Sequence, residues 1–172
     1  LTKGAHDGGA RVRGGGVEAV GQGPVDVGSW GADMVGFAGH KWLMAPWGVG
    51  VLVVAPDAVE ALTPARVGYA GVETEGTGYT WRPNARRFEL GTRAVAPLAG
   101  LSVALEQVES IGIDAIARWN RARAQQLLAE LDGVVAPLGT PGETGIVTLD
   151  VDAPQELGEA LPEPGLILPH IP

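Results

Sequence analysis

Apolar residues form short blocks in the first third of the chain. Residues 33–37 and 49–54 are apolar runs bounded by glycine, and each is typical of a buried strand. The second run is rich in β-branched residues without a polar interruption, so we expect a strand that is covered on both faces. A proline in the first turn then favours a short helix from Pro56 through Leu62.

A helical period replaces these blocks after residue 94. Steps of three and four residues predict a long helix whose buried stripe comprises Leu98, Leu101, Leu105, Val108 and Ile111. Gly112 ends this helix, and Asp114 begins a second helix that runs through Leu131. We expect Leu127, Leu128 and Leu131 on the buried side of the second helix.

Two stretches rich in glycine, residues 4–16 and 63–85, show no helical period and are predicted to be loops. The C-terminal part has a β-α-β character. Its strand, helix and strand are predicted at residues 145–151, 154–161 and 166–168.

The element order predicts an α/β protein in two parts. Residues 1–93 would finish an α/β sheet domain, and residues 94–172 would begin a smaller α+β domain through the long helix.

Composition narrows the possible partners of the chain. A net charge of -8 argues against non-specific binding to nucleic acid or to anionic membranes. The chain has no cysteine, which excludes a disulfide framework, a thiolate metal site and a cysteine nucleophile among its residues. No apolar run reaches the roughly 18 residues of a membrane helix. The first residues form no signal peptide and both ends resemble internal sequence, so we expect a cytoplasmic fragment of a longer polypeptide.

Lys41 is the strongest candidate for chemistry. It follows the predicted strand at residues 33–37 and precedes a turn rich in glycine, with His40 beside it. A sheltered lysine loses its proton more readily, and a neutral amine can form a Schiff base. The alternative is an ordinary surface lysine at a strand end, since most lysines are solvated.

Three further segments follow one another along the chain: residues 21–27 with 31–33 (GQGPVDV and GAD), 39–42 with 48–50 (GHKW and GVG), and 86–92 (RRFELGT). In this order they resemble the class V aminotransferase family of pyridoxal-phosphate enzymes, which includes cysteine desulfurases and isopenicillin N epimerase.

The resemblance implies a fold-type-I architecture: the C-terminal part of the cofactor-binding large domain, followed by part of the small α+β domain. It implies a homodimer with active sites at the subunit interface and pyridoxal 5'-phosphate as cofactor. Lys41 matches the lysine that forms the Schiff base with the cofactor, and His40 matches a phosphate-contacting position. Thr92, with Gly91 beside it, matches a residue that reaches the phosphate from the other subunit.

The chain also departs from the family pattern. Gly15 stands where the family has an aspartate paired with the pyridine nitrogen, and Glu18 stands at the position of a glutamine. Without that carboxylate the ring nitrogen would not stay protonated. Asp7 is the nearest acidic replacement, and Ala38 removes a phosphate-binding hydroxyl. Arg86 and Arg87 are either surface charges or a clamp for phosphate or carboxylate.

The resemblance implies an enzyme acting on an amino acid by transamination or by elimination of the C–S lyase type. A carrier of sulfur as a protein persulfide needs a cysteine, which these residues lack, whereas transamination and elimination need no thiol. The alternative is a non-catalytic remnant that serves as a dimerisation or binding module. The family's N-terminal half, with its phosphate loop and ring-stacking aromatic residue, is absent from this sequence.

Overall fold

The computed structural model describes residues 2–140 and 142–152. The chain divides into two compact units, Leu1–Ile116 and Ala117–Pro172. A domain boundary after residue 93 stays a prediction. The helix and strand predicted at residues 154–161 and 166–168 lie outside the described residues.

The helices of the described chain are α1 (Thr2–Asp7), α2 (Pro56–Ala61), α3 (Val95–Ile111) and α4 (Ile113–Glu130), with a 3-10 helix at Ala85–Phe88. The strands are β1 (Arg13–Gly15), β2 (Met34–Ala38), β3 (Gly50–Val54), β4 (Val72–Glu75), β5 (Gly78–Trp81), β6 (Ala136–Pro137) and β7 (Leu149–Asp150).

The central feature of the first unit is a sheet of three strands in the order β1-β2-β3. Strands β1 and β2 run parallel, with Gly15 opposite Gly36. Strand β3 is antiparallel to β2 and pairs Gly50 with Ala38. The parallel pair brings the carboxyl ends of β1 and β2 to the same edge of the sheet.

Behind this edge lies an apolar core formed by the segment between β2 and β3 and by α3. Its buried members are Leu43, Ala45, Val49, Leu101, Ala104 and Val108. Phe37 and Val51 of the sheet and Ile113 and Ile116 of α4 pack against this cluster. The turn that follows β2 therefore contributes residues to this core and is held against α3 by it.

Most of the predicted long elements are confirmed within one or two residues: β2, β3, α2, α3 and α4. Gly112 ends α3 with a positive φ of 87°, a conformation that glycine adopts without strain. The expectation that β3 is covered on both faces is wrong for this chain, because Leu52 is 45% exposed.

The buried faces of the long helices differ from the predicted stripes. In α3, Leu101 and Val108 are buried together with Ala104, whereas Leu105 and Ile111 are exposed. In α4 the buried residues are Ala117 and Ala124, and Leu127 is exposed. Alanines allow a helix to pack close to its neighbours. The spacing of large apolar residues alone does not predict which face of the helix is buried.

Both predicted loops contain regular structure. Residues 4–16 hold the end of α1 and the whole of β1, whose glycines allow close strand packing: a Cβ on Gly14 would lie 3.4 Å from a Val35 methyl group. Residues 63–85 hold a two-stranded hairpin of β4 and β5, turned at Gly76 with a φ of 58°. Pairing with a neighbouring strand offsets the intrinsic cost of the glycines in β1.

The predicted strand at residues 145–151 is shorter in the structure. Only Leu149–Asp150 form a strand, β7, which pairs antiparallel with β6.

Candidate active site at the end of strand β2

Lys41 lies in a tight turn that begins where β2 ends. The Gly39 amide donates to the Val49 carbonyl at 3.0 Å, and the Ala45 amide donates to the Gly39 carbonyl at 2.9 Å. A Cβ on Gly39 would lie 3.0 Å from a Val49 methyl and 3.1 Å from the Ala45 methyl, so glycine is needed for this approach. The turn thus presents His40 and Lys41 from the edge of the sheet that carries the strand carboxyl ends.

Lys41 is less sheltered in this chain than its apolar surroundings suggest. Its side chain is 41% exposed and forms an ion pair with Glu18. The expectation of a sheltered amine is therefore wrong for the described chain, because Lys41 lies at the surface and its amine is paired with a carboxylate.

Glu18 comes from the turn that follows β1 and contacts two residues of the Lys41 turn. Its Oε1 accepts from Lys41 Nζ, and its Oε2 accepts from Trp42 Nε1 at 3.0 Å. These hydrogen bonds, first from Lys41 and then from Trp42, hold the pKa of the Glu18 carboxyl below its ordinary value of 4.5. The sequence identifies Glu18 only as a departure from the family pattern and does not predict its contact with Lys41. The pairing spans 23 residues along the chain, so no local pattern reveals it.

His40 stacks on Trp47, with ring centroids 4.1 Å apart and an angle of 13° between the planes. Trp47 itself is 80% exposed. The stack fixes the imidazole beside Lys41. A phosphate-binding role for His40 stays a prediction.

Gly15 is the last residue of β1, at the same sheet edge as Lys41. A Cβ on Gly15 would meet no atom within 4 Å, so the position opens into free space. A β-carbon at this position therefore meets no obstacle among the described residues. The glycine places no charge at this edge of the sheet.

Asp33 is the buried centre of a polar cluster at the other end of β2, and its partners His6 and Arg11 are exposed. It accepts hydrogen bonds from the Val12 amide at 2.7 Å and from Arg11 NH1 at 2.6 Å, and His6 Nε2 lies 2.9 Å from its Oδ2. The Val12 amide foremost, then Arg11 and His6, hold the pKa of Asp33 far below its ordinary range. The cluster ties α1 and the start of β1 to the amino end of β2.

This cluster also locates Asp7. Because Asp7 follows His6 directly, it lies near Asp33 at the amino end of β2, whereas Lys41 follows the carboxyl end. The structure therefore does not bring Asp7 to the end of β1, where Gly15 lacks the family's carboxylate.

Gly91 and Thr92 line an open cleft of about 530 Å³ together with residues 48–50. The Thr92 hydroxyl lies 2.7 Å from the Tyr69 hydroxyl, and Tyr69 is 70% exposed. Within this chain the structure brings Thr92 to Tyr69 and not to Lys41. A role for Gly91 and Thr92 in phosphate binding stays a prediction.

Arg87 is held within the fold. Its Nε donates to the Arg82 carbonyl at 2.9 Å and its NH1 donates to the Val59 carbonyl at 2.5 Å. Both bonds stabilise the chain around the hairpin. Two of the five N–H donors of Arg87 are therefore used within the fold, while Arg86 is exposed. A clamp for phosphate or carboxylate stays a prediction.

Within the described ranges, no three histidine or acidic side chains lie together as a metal site would require. The helices in these same ranges are all too short or too polar to cross a membrane.

Comparison with known proteins places these features in a family. Residues 1–155 match the class V aminotransferase family, and the chain belongs to it. A cysteine desulfurase of Enterobacter sp. (strain 638) is 33% identical over 153 residues, which are 86% of this chain and 37% of the relative. The chain thus spans a little over a third of the curated relatives that it matches.

Solved structures of related enzymes have the same fold as this chain. The cysteine desulfurase CsdA of Escherichia coli superposes with a TM-score of 0.74 at 27% identity, over 91% of this chain and 39% of that chain. The cystine C–S lyase C-DES, solved with its product cysteine persulfide, gives a TM-score of 0.68 at 28% identity, over 80% of this chain and 38% of that chain. A C-DES mutant has also been solved with glycine covalently linked to its pyridoxal-phosphate cofactor. The fold is that of the fold-type-I pyridoxal-phosphate enzymes, of which this chain is a part.

The residues at the β1–β2 edge meet the needs of that cofactor in part. An amine that could bond to its aldehyde stands at Lys41, and no described atom lies within 4 Å of a Cβ built on Gly15. A carboxylate at Gly15 is lacking, and the carboxylate of Glu18, three residues further along the chain, is bound to Lys41.

Proposed function

We propose that the protein carrying this chain is a pyridoxal-phosphate enzyme that acts on an amino acid by transamination or C–S lyase elimination. Lys41 is its Schiff-base lysine. The observation that carries the proposal is the position of Lys41, in the turn that follows β2 at the edge of the sheet where β1 ends in Gly15. A cytoplasmic homodimer that takes a small amino-acid substrate is part of the same proposal.

The candidate residues have separate tasks. Lys41 would hold the cofactor through its amine, and the same amine would be placed to move the substrate's α-proton. His40, held flat against Trp47, and Thr92 would contact the phosphate. The cofactor supplies an electron sink, and the protein supplies position and charge.

The relatives named above are called cysteine desulfurases and a cystine C–S lyase, which favours cleavage at a carbon–sulfur bond. The 172 residues have no cysteine to carry sulfur as a persulfide. Elimination requires proton transfer at the α-carbon and a leaving group at the β-carbon, and neither step needs a protein thiol.

A second candidate is a non-catalytic module that uses the family fold for dimerisation or binding. Two observations favour it: Gly15 provides no carboxylate, and Lys41 is engaged by Glu18. In this case the turn after β2 would keep its shape but would not hold the cofactor covalently.

One experiment separates the two candidates. The full-length protein is incubated with pyridoxal phosphate, reduced with borohydride and mapped by peptide mass spectrometry. The enzyme proposal expects an adduct on Lys41 and none on Lys3, the other lysine of these residues. Lys41→Arg is the control that removes the adduct. A wild-type protein without an adduct on Lys41 supports the non-catalytic module.

A further inference from the structure

The turn that carries Glu18 is fixed against the turn that carries Lys41. Gly21 has a φ of 100°, and a Cβ on it would lie 2.6 Å from the Trp42 carbonyl carbon and 2.8 Å from the Leu43 nitrogen. Only a glycine allows the two backbones to approach this closely. The two turns are therefore docked through their main chains.

The Glu18 backbone is fixed as well. The buried Gln22 side chain donates from its Nε2 to the Glu18 carbonyl at 2.5 Å. The amides of Ala19 and Val20 donate to the Gly16 carbonyl, which closes the turn directly after β1. The carboxylate therefore starts from a defined backbone position.

This support distinguishes the Glu18–Lys41 contact from most surface ion pairs. Exposed pairs contribute little when two long side chains must lose freedom to meet. Here the backbones are already in place, and a second donor, Trp42 Nε1, holds the other carboxylate oxygen at 3.0 Å. The bridge directs one oxygen to the amine and one to the indole.

We propose that Glu18 is a positioning residue for Lys41: its carboxylate bridges the Lys41 amine and the Trp42 indole, and so limits how readily the amine reacts before any ligand arrives. The contact is a restraint built into this chain. It does not depend on the proposed function, since it involves only residues of the two docked turns.

The restraint is testable because the 172 residues contain two lysines, Lys3 and Lys41. The full-length protein, after any bound cofactor has been removed with hydroxylamine and dialysis, is treated briefly with N-hydroxysuccinimidyl acetate. The neutral amine bonds to the acyl carbon, the N-oxysuccinimide anion leaves with the electron pair of the broken C–O bond, and the amine proton goes to solvent. Peptide mass spectrometry then gives the ratio of acetylation at Lys41 to acetylation at Lys3.

Glu18→Gln keeps the shape of the side chain and removes its charge. We expect the Lys41-to-Lys3 ratio to rise about three- to fivefold, the change that corresponds to a weak charged contact. Glu18→Asp keeps the charge but is one methylene shorter. It should also raise the ratio, since the docked backbone prevents the shorter carboxylate from spanning both donors.

Two further variants separate positioning from damage to the fold. Trp42→Phe keeps an aromatic ring and removes the indole donor, so it should raise the ratio by less than Glu18→Gln does. Glu73→Gln breaks the exposed Arg82–Glu73 pair elsewhere and should leave the ratio unchanged. Far-UV circular dichroism confirms the fold of every variant.

An unchanged ratio in folded Glu18→Gln would overturn the proposal. So would a wild-type ratio in Glu18→Asp, which would show that charge alone matters and that position does not. Because no cofactor is present, either result leaves the borohydride test of the proposed function untouched.

Discussion

At the scale of single residues, Gly15 decides how well the site suits a protonated ring nitrogen. A Cβ built at this position meets no described atom within 4 Å, so the start of a side chain is unobstructed. We expect Gly15→Asp to tighten pyridoxal-phosphate binding by about tenfold or more, the contribution of a hydrogen bond to a charged group. Equilibrium dialysis of the full-length protein measures the dissociation constant.

Gly15→Asn is the matched control for this substitution. It has nearly the same shape as aspartate and no charge. Equal affinities for the two variants would contradict an electrostatic role at this position.

Asp33 is the second residue with a large individual effect. Its pKa in the fold is lowered from the ordinary 3.8, so its carboxylate stabilises the fold at pH values above about 3.8. That contribution is lost as the pH falls through the lowered pKa. We expect Asp33→Asn to melt at a lower temperature than wild type at pH 7, because Arg11 and the Val12 amide lose a charged acceptor.

The pH dependence of this difference is the sharper observation. Thermal melts followed by circular dichroism should show the gap between wild type and Asp33→Asn narrowing as the pH drops below 3.8. A gap that stays constant down to pH 2 would mean that the charge of Asp33 does not contribute.

The sequence identifies those functional residues that belong to a short, contiguous motif. Lys41 and His40 stand in a short motif between two apolar strands, and their positions were predicted. Glu18 acts through a contact 23 residues away, and Asp33 through donors 21 to 27 residues away. Such pairings require the fold to be known.

At the scale of elements, α3 supports the Lys41 turn through one face. Leu101 is 7% exposed and lies in the core cluster, and its Cδ1 would lie 3.4 Å from a Cβ on Gly39. The predicted stripe also placed Leu105 in the core, but that residue is 41% exposed.

The two leucines make a matched pair. We expect Leu101→Ala to lower the free energy of unfolding by about 2–5 kcal/mol, because it leaves a cavity under the turn. Leu105→Ala should cost no more than about 0.5 kcal/mol, as exposed substitutions usually do. Urea unfolding of both variants measures the difference, and equal losses would mean that Leu105 is covered in the intact protein.

The strands show why some elements were predictable and others were not. Strand β2 has an apolar run between glycines, whereas β1 reads Arg-Gly-Gly and is a strand only because β2 lies beside it. The hairpin of β4 and β5 was missed although a two-residue turn, Gly76-Thr77, separates its strands. Its strands are mostly exposed, so the apolar pattern that marks buried strands is missing.

At the scale of the whole molecule, the arrangement of Lys41 and Thr92 bears on the homodimer. In this chain Thr92 contacts Tyr69, in a cleft lined by residues 48–50 and not by Lys41. This agrees with the proposal that Thr92 of one subunit serves the Lys41 site of the other. If so, each active site of a dimer draws its two residues from different chains.

Mixed dimers test this directly. Lys41→Arg and Thr92→Val chains are co-expressed with different tags, and their heterodimer is isolated. One of its sites then combines both substitutions, and the other combines Lys41 of one chain with Thr92 of its partner. We expect borohydride trapping at limiting pyridoxal phosphate to give the heterodimer about half of the wild-type adduct, with little from either parent homodimer.

Tyr69→Phe in place of Thr92→Val is the control for this experiment, because it removes the hydrogen bond within the chain and keeps the Thr92 hydroxyl. Its homodimer should trap the cofactor as wild type does. If each site were built within a single chain, the heterodimer of Lys41→Arg and Thr92→Val chains would trap less cofactor. Each of its chains would carry one defective site, so trapping would stay at the mean of the two parent homodimers. The heterodimer result therefore decides whether the subunits share their sites.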